Sequence, residues 1–110
     1  MSWDFRMFTT AGSDEEIYTD LELSYTYNVS PMFNEALSGF TDGIRTIDGM
    51  RGRDAENGLL IGVIGMQSEP KKYIAMNPDN GWGNYEGALE VLQTLLKYAR
   101  KYPDAVFRVD

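Results

Sequence analysis

The chain has 110 residues, of which 43% are hydrophobic and 13% aromatic, and its 17 acids against 10 bases give a formal charge of −7. This length fits one domain around one core, and the apolar fraction argues against disorder. Cysteine and histidine are both absent, which excludes disulfides, thiolate or imidazole metal sites, and Ser-His or Cys-His nucleophiles.

A small domain without cysteine suits a reducing compartment. The N-terminus reads Met1-Ser-Trp-Asp-Phe-Arg-Met-Phe, without the basic start and long apolar run of a signal peptide. The longest apolar stretch, Leu59–Met66, is interrupted by Gly62 and Gly65 and falls well short of the roughly 20 residues of a membrane span. The expected location is the cytosol, with no membrane association.

Trp3–Thr10 alternates and is rich in β-formers, and reads as a strand. A polar connector follows over residues 11–16. Leu21, Leu23, Tyr25, Tyr27 and Val29 alternate with polar residues, the period of a second, half-buried strand. Ser30-Pro31 starts a helix, with serine as its cap and proline at its first position. Met32, Phe33, Ala36 and Leu37 give that helix its apolar face, and Gly39 stops it. Residues 40–52 read as a glycine-rich loop with one short helical turn.

Arg53–Gln67 has two readings. Its Leu-Leu-Ile-Gly-Val-Ile-Gly-Met run suits a buried strand. Asp54 and Glu56 at the start and Pro70 beyond the end favour a helix, with Gly58, Gly62 and Gly65 on one side for close packing. The helix is preferred. Tyr73–Met76 reads as a short extended piece and Asn77–Asn84 as a turn-rich loop. Tyr85, Ala88, Leu89, Leu92, Leu95, Leu96 and Ala99 then form one continuous stripe of an amphipathic helix over Asn84–Tyr102. Glu86 and Glu90 near its start and Lys97, Arg100 and Lys101 near its end complement the helix dipole. Pro103 ends it, and Ala105–Val109 reads as a closing strand paired with Leu21–Val29.

The expected fold is α+β: a small antiparallel sheet of two to four strands packed against about three helices. It is a single domain over residues 1–110, with residues 1–20 either a separate extension or a strand.

Three segments are candidates for function. The first is the Asn77–Tyr85 loop. Asn77, Asn80 and Asn84 offer donors and acceptors, Trp82 offers a ring for stacking, Tyr85 opens the helix, and free N–H groups at a helix start attract anions. Together they suit a nucleotide-like small ligand. The competing reading is structural: Asn-Pro and Asn-Gly are turn dipeptides, Asn84 is a helix cap, and Trp82 covers the core before the helix. The second candidate is the acidic group Asp14, Glu15, Glu16, Asp20 and Glu22, a surface for a basic partner. Residues 1–56 carry eleven acids and four arginines, whereas the remainder is balanced. Such a surface repels nucleic acid and anionic lipid. Its spacing matches no calcium loop, and no metal or other cofactor is expected. The third is the glycine-rich loop holding Arg45, Arg51 and Arg53, which suit an anion clamp or pairs with Asp42, Asp48 and Asp54 of the same loop; the pairing is preferred on proximity.

The segments Tyr27-Asn-Val-Ser-Pro-Met-Phe, Met76-Asn-Pro-Asp-Asn-Gly-Trp-Gly-Asn-Tyr-Glu-Gly and Lys101-Tyr-Pro-Asp-Ala resemble a group of small uncharacterised proteins of bacteriophages and bacterial mobile elements. The resemblance spans residues 21–110, and its middle motif is the most specific part. It implies a phage or mobile-element accessory protein, for which inhibition of a host defence system is one role. No catalytic pattern stands out among the carboxylates, lysines and tyrosines. The expected function is therefore a non-enzymatic protein whose acidic surface binds a basic host protein, homo-oligomerisation being open. The alternative is a binder or sponge for a nucleotide-derived signal.

Overall fold

Trp3, Phe5 and Met7 alternate with Asp4 and Arg6, so the first strand, β1 (Ser2–Thr9), buries one face and leaves the other to solvent. The computed structural model describes residues 1–10, 12 and 14–110; Ala11 and Ser13 of the expected connector lie outside them. β1 is the strand to which all others pair. Along one edge lie β2 (Ile17–Tyr18) and β3 (Leu23–Thr26); along the other lies β4 (Val106–Val109), and every pairing is antiparallel. Phe5 faces both Leu23 and Val109, and Phe8 faces both Tyr18 and Val106. β2 and β3 therefore run end to end along the edge opposite β4.

This pairing corrects one expectation. The closing strand pairs with β1, not with the segment over residues 21–29. That segment is also shorter than its alternation suggests. Thr26 Oγ1 accepts from the Asn28 N–H and turns Tyr27–Val29 into a 3-10 helix, so only Leu23–Thr26 remains as strand. With β3 ending there, the far edge of β1 is the surface left for β4. The outer edge of β4 is covered in turn, by backbone bonds to Gly49 and Met50 and by a bond from the Val109 N–H to Asp48 Oδ1 at 2.8 Å.

Three longer helices cover the inner face of the sheet: α1 (Ser30–Ala36), α2 (Gly52–Ser68) and α4 (Tyr85–Lys101). Pro31 occupies the first turn of α1 as expected. The ambiguous central segment is a helix, and its glycines bring α2 close to its neighbours. A Cβ on Gly52 would meet the carbonyl oxygens of Ala99 and Tyr102 at 2.6 Å, and one on Gly62 would meet Leu37 Cδ2 at 2.5 Å. Gly52 therefore requires glycine, because the atoms in its way are backbone, and that contact closes the α2–α4 seam; at Gly62 the neighbours are the Leu37 and Leu92 side chains.

The short helix α3 (Pro70–Ile74) replaces the extended piece expected at Tyr73–Met76. Pro70 starts a new helix as well as ending the preceding one. The core runs from Trp3, Phe5, Met7 and Phe107 on the sheet to Phe33, Leu59 and Leu92 on the helices, all buried. Among the described residues no helix is long and apolar enough to cross a membrane.

Candidate functional site

The loop before α4 is built by its asparagines. Asn84 adopts an extended backbone at the N-cap and its Oδ1 accepts from the Gly87 N–H at 2.8 Å. Asn77 Oδ1 accepts from the Tyr85 N–H, also at 2.8 Å. Asn80 Oδ1 accepts from the Trp82 N–H at 3.0 Å, while its amide group donates to Asn28 Oδ1 at 3.3 Å. Each asparagine thus closes a turn, and two of the first N–H groups of α4 are already bonded. The helix start that sequence reasoning offers to an anion is largely filled by the protein's own amides.

The loop is fastened to the sheet edge by Tyr25. Its hydroxyl accepts from the Asn84 N–H at 3.0 Å and lies against Gly87, where a Cβ would overlap it. Gly83, at φ +89°, packs where a Cβ would come within 2.7 Å of Thr26 Cγ2 and 2.8 Å of Val29 Cγ1. The segment around Tyr27-Asn-Val-Ser and the motif around Asn80–Gly87, more than 50 residues apart, therefore form one surface. Sequence reading singled out both segments without showing that they meet.

Tyr85 is buried and donates its hydroxyl proton to the Met66 carbonyl at 2.8 Å, joining α4 to α2. It is a core residue with a satisfied hydroxyl, facing away from the loop surface. Trp82 behaves in the opposite way. The expectation that it covers the core is corrected: its side chain stands in solvent, 67% exposed, at the crest of the loop. Trp3, at 4%, is the tryptophan of the core, packed between Tyr27 and Phe33 at ring separations of 4.9 and 5.5 Å.

Two hollows lie elsewhere on the surface. One, of about 340 Å³, is lined by Asp4, Arg6, Glu22, Leu23 and Ser24 on the outer side of the sheet. The other, of about 190 Å³, lies among Trp3, Ser30, Asn34, Asp42 and Arg45. Both are smaller or more open than an enclosing cofactor site.

The five acids do not act alike. Arg108 forms a two-pronged pair with Glu16, at 3.1 and 2.8 Å, and stacks over Phe8 at 4.7 Å. The guanidinium bond holds the Glu16 carboxyl below its ordinary value. Asp20 accepts from the Tyr102 hydroxyl at 3.3 Å. Asp14, Glu15 and Glu22 are exposed, Glu22 on the rim of the outer hollow. Among the described residues no three acids gather closely enough to hold a metal ion.

The arginine loop is likewise dispersed. Arg53 pairs with Asp104 beyond α4, and Asp48 caps β4, so among the described residues the expected pairing within the loop is not formed. Arg45 and Asp42 share only the rim of the smaller hollow.

No family model, curated protein or solved structure matches the chain. The reading of function therefore rests on its own residues.

Proposed function

We propose that this is a non-enzymatic binding module that docks on a basic protein surface with Trp82 as its anchor. The observation that carries the reading is an indole 67% exposed on a loop whose asparagines are all engaged in holding it. Exposing a tryptophan forgoes a large burial gain. Holding the loop backbone beneath it lowers the entropy that a partner must overcome on binding. Tryptophans so placed are the residues on which binding energy concentrates.

The flanking Asp79 and Glu86 are exposed acids, and the chain carries −7 overall. A partner with an apolar pocket rimmed by lysine or arginine complements both features, and charge steers the encounter. The acids at Asp14 and Glu22 add to that field, while Glu16 and Asp20 serve internal contacts. The motif resemblance supports a bacterial host protein as the partner, with inhibition of a defence system as the outcome. A nucleotide-derived ligand at the same loop has less support, because Trp82 stands proud and lines neither hollow.

The test is capture from bacterial lysate by immobilised protein at low and high salt, with wild type and Trp82→Ala in parallel. The proposal expects a basic protein retained at low salt, reduced at high salt, and lost with Trp82→Ala. Equal retention by the two proteins would remove Trp82 from the account.

A further inference from the structure

We infer that the open edge of β3 seats an extended segment of the partner protein, which adds to the sheet as an antiparallel strand with a lysine or arginine at the hollow beside Ser24. This rests on the reading above of a module for a basic protein, and it gives the mode of docking. The Asp4 N–H and C=O bond to Asp110 beyond β4, and the Tyr27 N–H bonds to the Met1 carbonyl. Bonding direction alternates along antiparallel strands. Leu23 and Tyr25 therefore bond to β1, while the Ser24 N–H and C=O and the Thr26 N–H point away from it. Among the described residues no hydrogen bond reaches these groups. The β4 edge, by contrast, is closed by Asp48, Gly49 and Met50. A bare edge is a template for another strand.

The two sides of this edge select the occupant. Cross-strand partners share a face, so the residue opposite Ser24 stands on the outer side of the sheet, at the hollow of about 340 Å³. Asp4 and Glu22 line that hollow, and neither forms an ion pair among the described residues. Arg6, also on its wall, is paired with Asp110 at 3.8 Å. Ser24 is small, so a long basic side chain passes over it toward Asp4. On the inner side Leu23 and Tyr25 are only half-buried, and they suit apolar residues at the alternate positions of the added strand. A second copy of this chain is disfavoured, because each copy carries −7 and brings its own Glu22 to the edge. The loop that carries Trp82 packs on Thr26 at the end of the same strand, so edge and anchor share one surface.

An NMR titration with a short peptide of alternating lysine and valine tests this. The Ser24 and Thr26 amide signals should shift most, with a Kd of about 10 µM to 1 mM, the range of a weak contact. Methylating the lysine backbone nitrogens, which face β3, should abolish binding, whereas methylating the valine nitrogens, which face away, should leave it intact. Replacing the lysines by glutamate should also abolish it. Glu22→Lys should weaken binding by about tenfold without changing the melting temperature, since the site is exposed. A lysine peptide that does not bind, shifts that leave Ser24 and Thr26 unmoved, equal binding of the two methylated peptides, or indifference to Glu22→Lys would each overturn the proposal. Lysate capture that depends on Trp82 would in those cases still stand. Capture that ignores Trp82, with the peptide results as expected, would overturn the anchor and keep the edge.

Discussion

The Tyr25 hydroxyl accepts the Asn84 N–H at 3.0 Å, tying the start of the last helix to the edge strand of the sheet. One phenolic oxygen thereby fixes the orientation of the loop that presents Trp82. Tyr25→Phe removes this bond and keeps the ring. It should cost about 0.5–1.5 kcal/mol in urea unfolding and speed amide exchange at Asn84. Unchanged exchange at Asn84 would show that the loop is held by its asparagines alone.

Gly81 and Gly83 form a controlled pair. Both have positive φ, +76° and +89°, but a Cβ on Gly81 meets open space while one on Gly83 meets Thr26 and Val29. Gly81→Ala should cost only the backbone strain of the left-handed region, about 1–2 kcal/mol. Gly83→Ala should cost that and a steric penalty besides, and should displace Trp82. Equal melting temperatures for the two variants would contradict the close packing of the loop on the residues around Thr26.

Leu92 is fully buried, in the middle of the α4 stripe beside Gly62, and Gln93 is exposed. Leu92→Ala leaves a cavity and should cost about 2–5 kcal/mol, a large part of the stability of a domain this size. Gln93→Ala should shift the melting temperature hardly at all. Thermal unfolding of the two variants gives the comparison directly.

The sequence made the helices more legible than the sheet. The α4 stripe is local and periodic, so its buried face is readable almost residue by residue; the structure adds Val91 and leaves Leu89 half-buried. Strand pairing is not local. Nothing in Ala105–Val109 names its neighbour, and the clean alternation over residues 21–29 hid the turn that Thr26 imposes. Pro70 reads in sequence as a stop, and in the fold it also starts α3. At the candidate site, the asparagines carried a legible turn signal, and Asn84 caps its helix as expected. The exposure of Trp82 was not legible, because it depends on Tyr25 and Asn28 arriving from another part of the chain.

Glu16 and Arg108 give a pH signature. The guanidinium holds the Glu16 carboxyl below the ordinary 4.5. A carboxyl depressed in the folded state adds stability above its unfolded value, and loses it as pH falls through the folded one. Wild type should therefore be more stable than Glu16→Gln at neutral pH. The gap should close progressively below about pH 4.5, where the unfolded carboxyl begins to protonate. Melting temperatures of both proteins across pH 2–7 test this; a gap constant with pH would mean that charge plays no part in the pair.

The docking role of Trp82 is tested most directly by its own fluorescence. Trp3→Phe leaves Trp82 as the single tryptophan, free of signal from the core. In the unbound protein its emission should be that of a water-exposed indole, open to iodide, with anisotropy close to that of overall tumbling, because the loop is held. Adding the protein captured from lysate should shift the emission to shorter wavelength and shield it from iodide as the ring enters an apolar pocket. A captured protein that binds while the Trp82 emission and its quenching stay unchanged would contradict the account.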